Sequence, residues 1–415
     1  MEVREASGSY VELTELPCQI APFGYKHTEV GLIPDDWQVA NLGSLARGIH
    51  RGASPRPIDD PQWFDTDSSI GWVRISDVTQ AGRYLNETTQ RLSPEGIRRS
   101  RYLPRGALIM SICATVGRPV ETRIDVCIHD GFVVFERPSV DQGFLYHVLK
   151  GLEPKWARKG QTGSQMNLNT GLIKETEVPV PPTKAEQQAI AEALSDADVL
   201  IESLQQLIAK KRQIKRGTMQ TLLTGKRRLP GFRDAWMSKE IGDLLTIMHG
   251  KSQHEVEDEA GCYPILATGG QIGSTNTFLY DKPSVLIGRK GTIDRPQYMD
   301  TPFWSVDTLF YSVIHQPNVA KYVFYRFCLI DWRAHNEASG VPSLNARTVE
   351  QIELDVPLAD EQTAIATILT DMDTELTELE TRLAKTSQLK QGMMQELLTG
   401  RIRLVSSVNA QARSC

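Results

Sequence analysis

Cysteine is scarce and scattered in this chain of 415 residues. Cys18, Cys113, Cys127, Cys262, Cys328 and Cys415 form no CxxC, and no histidine lies close enough to complete a zinc-ligand spacing. Reduced thiols and no metal site are expected. Long apolar runs are missing too: no stretch approaches the roughly 20 residues that cross a bilayer. The opening segment MEVREASGSYVELTELP carries acidic residues where a secretory signal would carry an apolar run. A cytoplasmic chain with no membrane contact is expected. Nor is there a surplus of positive charge. Lys and Arg number 46 against 51 Asp and Glu, a net charge of -5, which argues against a grip on a polyanion if the charge is evenly spread.

The signatures of catalysis are absent as well. There is no GxxxxGK[ST] to cradle phosphate, no GxSxG nucleophile elbow, no HExxH, no Asn-Pro-Pro-Tyr or Asp-Pro-Pro-Tyr to hold a flipped adenine, and no glycine-rich strand-to-helix loop of a nucleotide or S-adenosylmethionine site. TGGQIG (268–273) sits among β-patterned residues without the helix such a loop needs. What is present is a globular composition, 40% hydrophobic and 23% charged, at a length that suits two or three domains. The chain reads as a binding protein with no chemistry and no cofactor of its own. A self-contained DNA-modifying or cleaving enzyme is the alternative from another class, and a coiled-coil assembly protein that does not touch DNA is a third.

An internal repeat organises the chain. Residues 186–229 (EQQAIAEALSDAD…LLTGKRRL) and 361–404 (EQTAIATILTDMD…LLTGRIRL) align at a constant offset of 175 with about half of the positions identical. In the second copy Ile365, Leu369, Met372, Leu376, Leu379 and Leu383 step by 4, 3, 4, 3, 4, the seam of a left-handed coiled coil. The first copy matches with Ile190, Leu194, Ala197, Ile201, Leu204 and Ile208. No proline falls between 183 and 229 or between 358 and 415, so helices of about 30 residues, roughly 45–50 Å, are expected to pair antiparallel. Gly217 and Gly392 mark expected late breaks, and Gly225 and Gly400 the ends. Glu186, Asp196, Asp371 and Glu378 are expected on outer faces, for solvent or another subunit.

The segments before the helices correspond too. QMNLNTGLIKETEVPVPP (165–182) parallels VPSLNARTVEQIELDVPL (341–358), each ending in an alternating strand-like run, and Trp37, Leu42, Gly43, Leu45 parallels Trp236, Ile241, Gly242, Leu244. The middles differ: GWVRISDVTQAGRYL (71–85) has no evident twin in YPILATGGQIGSTNTFLY (263–280). Short β-patterned runs such as ALIMSI (107–112), GFVVF (131–135), SVLIG (284–288) and TLFYSVI (308–314) alternate with helical patches near 144–152 and 319–332. The expected class is α+β: two mixed α/β globular domains separated by two long antiparallel coiled-coil helices in a pseudo-twofold repeat. The expected segments are 1–21, an extension; 22–182, the first globular domain; 183–225, the first helix; 226–358, the second domain; 359–404, the second helix; and 405–415, a tail.

Positive charge is segregated despite the negative total. IRRSRYLPR (97–105), KWARKGQTGSQ (155–165), AKKRQIKRG (209–217) and KRRLPGFR (226–233) are basic, while acid gathers in EVEDE (255–259), at the helix starts and across 371–380. The turn IGRKGTIDRP (287–296) carries Arg289, Lys290, Thr292 and Arg295 around two glycines. Glycines admit backbone N–H groups to phosphate, and Arg or Lys can fork onto guanine O6/N7. The related turn MSICATVGRPVE (110–121) keeps Arg118 without an Arg-Lys pair. Amide and hydroxyl loops add Lys159, Gln161, Thr162, Ser164 and Gln165 in the first half and Lys251 and Gln271 in the second. Arg99 and Arg101 come from the first basic cluster, and Arg74 and Ser76 are expected on one strand face with Trp72 in the core. Solvated surface and ordinary hairpin turns are the competing reading for each cluster.

Two variable globular segments, each followed by a near-identical helix with EQ at its start and LLTG at its end, resemble the specificity subunit of type I restriction-modification systems. GYKHTEVGLIPDDW (24–37), LNTGLIKETEVPVPPTKAEQQ, LNARTVEQIELDVPLADEQ, IGRKGTID and FWSVDTLFY (303–311) carry the resemblance over most of the chain. It implies a non-catalytic DNA-binding subunit of a phage-defence system. Each globular segment would be a target recognition domain reading one half of a bipartite, asymmetric double-stranded site, with the helices setting the distance between halves. It also implies partners: two methylation subunits that bind S-adenosylmethionine, and ATP-dependent restriction subunits. The family's circular organisation implies that the LLTGRIRL end lies beside the GYKHTEVG entry. Asp294 departs from the family motif, which often has glycine there.

Overall fold

The computed structural model describes residues 21–159 and 168–404, with only the helical backbone at 157–159. The expected extension and tail at 1–21 and 405–415 therefore fall outside the described residues, apart from residue 21. Two compact units emerge: residues up to Ile201 together with those from Lys385, and Glu202–Ala384.

The first unit is built on two sheets. A five-stranded sheet has the order Ala46–Arg51, Phe132–Pro138, Leu108–Ser111, Pro119–Thr122, Tyr84–Leu85, antiparallel except for its last pair. A four-stranded sheet has the order Gln90–Arg91, Gly71–Val73, Val126–Ile128, Arg101–Leu103, in which the two middle strands are parallel. The runs expected at 107–112 and 131–135 are strands because they are apolar on both faces, and Leu108, Ile109, Met110, Phe132 and Val133 are fully buried. Helix Gln142–Lys159 covers the larger sheet through Phe144, Leu145 and Leu149. The strand Glu177–Val180 pairs with Gln38–Asn41 before the first long helix begins.

The second unit repeats this plan with fewer strands. Its sheets run Leu245–His249, Leu309–Ile314, Ser284–Gly288, Gln297–Met299, and Gly270–Thr275, Tyr263–Ala267, Trp304–Ser305. Tyr263–Ala267 lies parallel to Trp304–Ser305 as Gly71–Val73 lies parallel to Val126–Ile128. The sequence showed no twin for 71–85, and the topology supplies one: backbone pairing tolerates any side chains that keep the buried face apolar. Met237–Glu240 pairs with Glu353–Val356 ahead of the second long helix, as in the first unit.

The long helices run Lys184–Leu222 and Ala359–Leu397, 39 residues each and so about 58 Å long. They exceed the expected 30 residues because Gly217 and Gly392 do not break them. A helical glycine costs only about 0.5–1 kcal/mol relative to alanine, too little to end a helix whose neighbouring turns are packed. Gly225 and Gly400, at φ +68° and +73°, form the left-handed terminations, as expected. Of the seam, Ile190, Leu194, Leu204, Ile208, Ile365, Leu369 and Leu376 are buried, while Ile201, Met372, Leu379 and Leu383 are half-buried. Toward the helix ends the seam turns to ion pairs. Lys390 meets Asp198 in the first unit; in the second, Lys215 meets Asp373, Lys211 meets Glu375 at 2.6 Å and Arg212 meets Glu380 at 2.7 Å. Rising numbers on one helix meet falling numbers on the other, so the helices run antiparallel within each unit.

One expected surface residue is not on the surface. Asp196, Asp371 and Glu378 are exposed, but Glu186 is 1% exposed. Its carboxylate is taken by Arg403, whose guanidinium also reaches Asp36 at 2.9 Å. In the second unit Arg228 clasps Glu361 at 2.7 Å. The neighbouring glutamines are buried connectors. Gln187 accepts from the N–H of Asp141 and donates to the Pro181 carbonyl, and Gln362 does the same with Val319 and Pro357. The EQ and LLTG motifs therefore meet: the arginine after each glycine turn locks onto the glutamate that opens the other helix. The expected closeness of chain entry and exit holds in the first unit, where the Tyr25 hydroxyl donates to the Gly400 and Arg401 carbonyls at 3.4 and 3.3 Å.

Candidate nucleic-acid interface

Strand registers decide which loops gather. In the first unit Arg51 lies opposite Val133, Ser111 opposite Phe132, and Ile128 opposite both Val73 and Arg101. The ends of four strands and the starts of two others thus share one edge. The residues just beyond are Gly52, Arg74, Ile112, Cys113, His129 and Asp130. They are stitched together: the Gly52 N–H donates to Phe132 O at 2.9 Å, Ala53 N–H to Ile128 O at 3.1 Å, Ile112 N–H to Gly131 O at 2.8 Å, and Leu168 N–H to Ile112 O at 2.8 Å.

The second unit repeats that stitching. Lys251 N–H donates to Ser305 O at 2.8 Å, Arg289 N–H to Thr308 O at 2.8 Å, and Leu344 N–H to Arg289 O at 2.9 Å. These bonds equate Ala53 with Lys251 and Ile112–Cys113–Ala114 with Arg289–Lys290–Gly291. Ala114 and Gly291 both take positive φ, +55° and +90°. Gly52 and Gly250 also correspond. A Cβ at Gly52 would collide with the carbonyl oxygen of His129, and one at Gly250 with that of Val306, so each position requires glycine.

The sequence candidates divide under this geometry. The structure brings Lys251, Arg289 and Lys290 to the edge of the second unit, where Lys251 and Lys290 are exposed and Arg289 donates to the Asp307 carbonyl at 3.2 Å. Arg295 is exposed and Thr292 half-buried in the same turn, and Gln271 bonds the Gly273 carbonyl at 3.1 Å. Asp294 is held by Arg333 at 2.8 Å, a bond that pulls its carboxyl below the usual range. In the first unit Arg74 and Arg101 reach the edge. Arg74 and Ser76 do not share a strand face, however, because the strand stops at Val73 and Arg74 precedes helix Ile75–Gln80. Asp77 turns the chain there by accepting from the Arg74 N–H at 2.9 Å. Trp72 is in the core, as expected. Arg99 is engaged by Glu95 at 3.2 Å and lies over Trp63, and Arg118 is spent on the Ala81 carbonyl at 3.0 Å. Gln161, Thr162, Ser164 and Gln165 lie outside the described residues, and Lys159 is described only as helical backbone.

Sequence reading missed one group. Arg51, Ser54, Arg56, His129 and Asp130 meet at the first unit's edge. The Ser54 hydroxyl donates to Asp130 at 2.7 Å, lowering that carboxyl, and Arg56 stands 3.8 Å from it. Burial, with the charges of Arg74 and Arg51, holds His129 below its ordinary value. The available signal was the basic pair of glycine loops, HRGASPR (50–56) and HGKS (249–252), at matching distances after Trp37 and Trp236. Among the described residues no group of His, Cys, Asp and Glu could hold a metal, and no helix is long and apolar enough to cross a membrane. The edges offer cations, amides and backbone N–H groups, a chemistry of binding.

Comparison with known proteins places these features. A family model described as the type I restriction modification DNA specificity domain matches residues 34–211 and again 233–391. The type I restriction enzyme EcoprrI specificity subunit of Escherichia coli is 24% identical over 350 residues, covering 79% of this chain and 85% of that protein. Among solved structures, the S subunit of the type I restriction-modification system of M. genitalium superposes with a TM-score of 0.63 at 15% identity, covering 87% of this chain and 96% of that one. A chain of the type I R-M system solved for its complex assembly and conformational transition gives a TM-score of 0.54 at 14% identity, covering 89% and 99%. Both share the fold.

Proposed function

The chain belongs to the type I restriction-modification DNA specificity family, and from that premise we propose that it reads a bipartite, asymmetric double-stranded site, one half-site to each unit. It is the non-catalytic, DNA-recognition subunit of such a system and works in assembly with other subunits. The observation that carries the two-reader assignment is the duplicated edge, in which the same backbone bonds present different side chains: Ile112 and Cys113 in one unit, Arg289 and Lys290 in the other. A rigid frame with exchangeable tips suits direct readout, where base edges are told apart by a few well-placed donors and acceptors. Phosphate contacts from exposed basic residues such as Lys251 and Lys290 would set position without sequence.

The finer assignments are part of the same reading. The long helices set the distance between half-sites, two S-adenosylmethionine-binding methylation subunits supply the adenine chemistry, and ATP-dependent restriction subunits join them, all in the cytoplasm where the DNA lies. Replacing residues 36–182 by those of a relative, in the complete system, should change one half of the methylated sequence and leave the other intact. A methylome in which both halves change, or neither, overturns the two-reader assignment.

A further inference from the structure

The two edges differ in one respect that the repeat does not anticipate. Beyond Trp304–Ser305 the small sheet of the second unit has only the single bridge Tyr280–Phe303 among the described residues, whereas that of the first continues in a full strand, Arg101–Leu103. Arg101 is the first residue of that additional strand, opposite Ile128. Its Nε donates to the carbonyl of Arg51 at 2.7 Å, and the Nε of Arg51 donates in turn to the carbonyl of Asp130. Among the described residues each arginine is bonded through its Nε alone, which leaves both terminal nitrogens of each guanidinium without a protein acceptor there. Both residues are exposed, and neither forms a salt bridge among the described residues, although the charge of Arg51 helps to lower the nearby Asp130 carboxyl. Gly52, the Ala53 to Ile128 bond and the Ser100 hydroxyl on the Ala53 carbonyl at 2.8 Å hold the loop beneath them. His249 stands where Arg51 does, and its ring packs edge-on against Phe310 at 4.9 Å.

We propose that Arg51 and Arg101 form a pre-aimed pair of guanidinium forks that determines what the first unit accepts. A fork held at Nε presents two parallel N–H donors end-on, and the matching partner is a pair of adjacent acceptor oxygens or nitrogens. On DNA that pair is either guanine O6/N7 or two phosphate oxygens. Fixing the side chains in advance removes the entropy that long arginines lose on binding. The second unit, with histidine at one place and only the Tyr280–Phe303 bridge at the edge where the other strand runs, reads its half-site by different means. This assignment rests on the two-reader proposal above and adds to it the residues and the acceptor chemistry.

The test uses the complete complex carrying Arg51→Ala with Arg101→Ala, and in parallel Arg51→Lys with Arg101→Lys, which keeps charge and removes the fork. Affinity for the cognate duplex should fall roughly 10- to 100-fold for the alanine pair. If the forks read guanine, the lysine pair also relaxes one or two positions of the first half-site in the methylome, and the second half-site stays strict. If they take phosphate, the lysine pair keeps affinity and sequence, while the alanine pair lowers the salt slope by about one per arginine. A strict second half-site reports that the variants are folded and assembled. Unchanged affinity, salt slope and sequence in both variants overturn the proposal. If exchange of residues 36–182 still alters one half-site in that event, the two-reader assignment survives without it.

Discussion

The first and second units share a frame and differ at its rim. In both, a glutamate buried at a helix start is clasped by an arginine from the other helix's exit, a glutamine bridges the domain to the helix, and a lysine–aspartate pair closes the seam. At the rim the first unit carries an additional strand, an arginine pair and His129–Asp130, where the second carries Arg289–Lys290 and Lys251. The frame contacts are mutually dependent, so changes there are costly, while the rim, apart from its required glycines Gly52 and Gly250, is held by backbone bonds that leave the neighbouring side chains free to differ. Under the proposed two-reader assignment, binding specificity can therefore vary without disturbing the scaffold that presents it.

The clasps differ in their second partners: Arg403 also pairs with the Asp36 carboxylate, where Arg228 bonds the Asp234 carbonyl, and the buried glutamates differ in their donors. Glu361 also accepts from the Trp236 indole at 3.1 Å, whereas among the described residues the Trp37 indole nitrogen is buried with no partner and Glu186 has no such donor. Arg403→Ala should therefore leave Glu186 buried and uncompensated, at a cost of about 3–5 kcal/mol. Arg228→Ala, with Trp236 still in place, should cost less. Chemical denaturation of the two variants checks the order, and equal losses would dissolve this distinction between the units.

A second contrast is chemical. His147 occupies the place that Tyr325 holds in the other unit, and burial, helped by the charges of Arg83 and Lys390, lowers its pKa to about 3. Its Nε2 meets the Ser195 hydroxyl at 3.2 Å and its Nδ1 is buried without a partner among the described residues, so a second proton has no acceptor among them. Because the folded value lies below the unfolded value of about 6.5, the unfolded chain binds the extra proton. Stability from this site is full above that unfolded value and declines as pH falls toward 3, with up to one proton taken up on unfolding. Tyr325 instead donates to Asp373 at 2.7 Å, while the equivalent Asp198 has a buried Oδ2 with no partner among the described residues. His147→Tyr should supply that donor and flatten the acid limb of urea-unfolding stability. A limb that persists in the variant would assign the pH dependence elsewhere.

The smallest expected effect tests where the units are alike. Gly217 and Gly392 are mid-helix, and an added Cβ meets nothing within 4 Å at either. Gly217→Ala and Gly392→Ala should each raise stability by about 0.5–1 kcal/mol, measured by thermal unfolding. Unequal gains would show that the repeated helices are not energetically equivalent.

The repeat, the helices and their direction, the strand runs and the family resemblance were legible in the residues, because each rests on local periodicity or on identity between the two copies. Apolar spacing alone specifies a seam, and a left-handed glycine specifies a helix end. The fate of Glu186 was not legible: it reads as an exposed helix-start acid until Arg403, 217 residues away, is folded onto it. The Arg74–Ser76 strand face failed for a similar reason, since the Asp77 capping bond converts an alternating pattern into a helix start. The arginine pair lay out of reach because Arg51 and Arg101 are 50 residues apart and meet only where two sheets end together. Patterning along the chain thus determined the elements and the repeat by itself. Tertiary structure decided which loops share an edge and which charges are free, because those depend on strand register and on hydrogen bonds between segments that carry no common period.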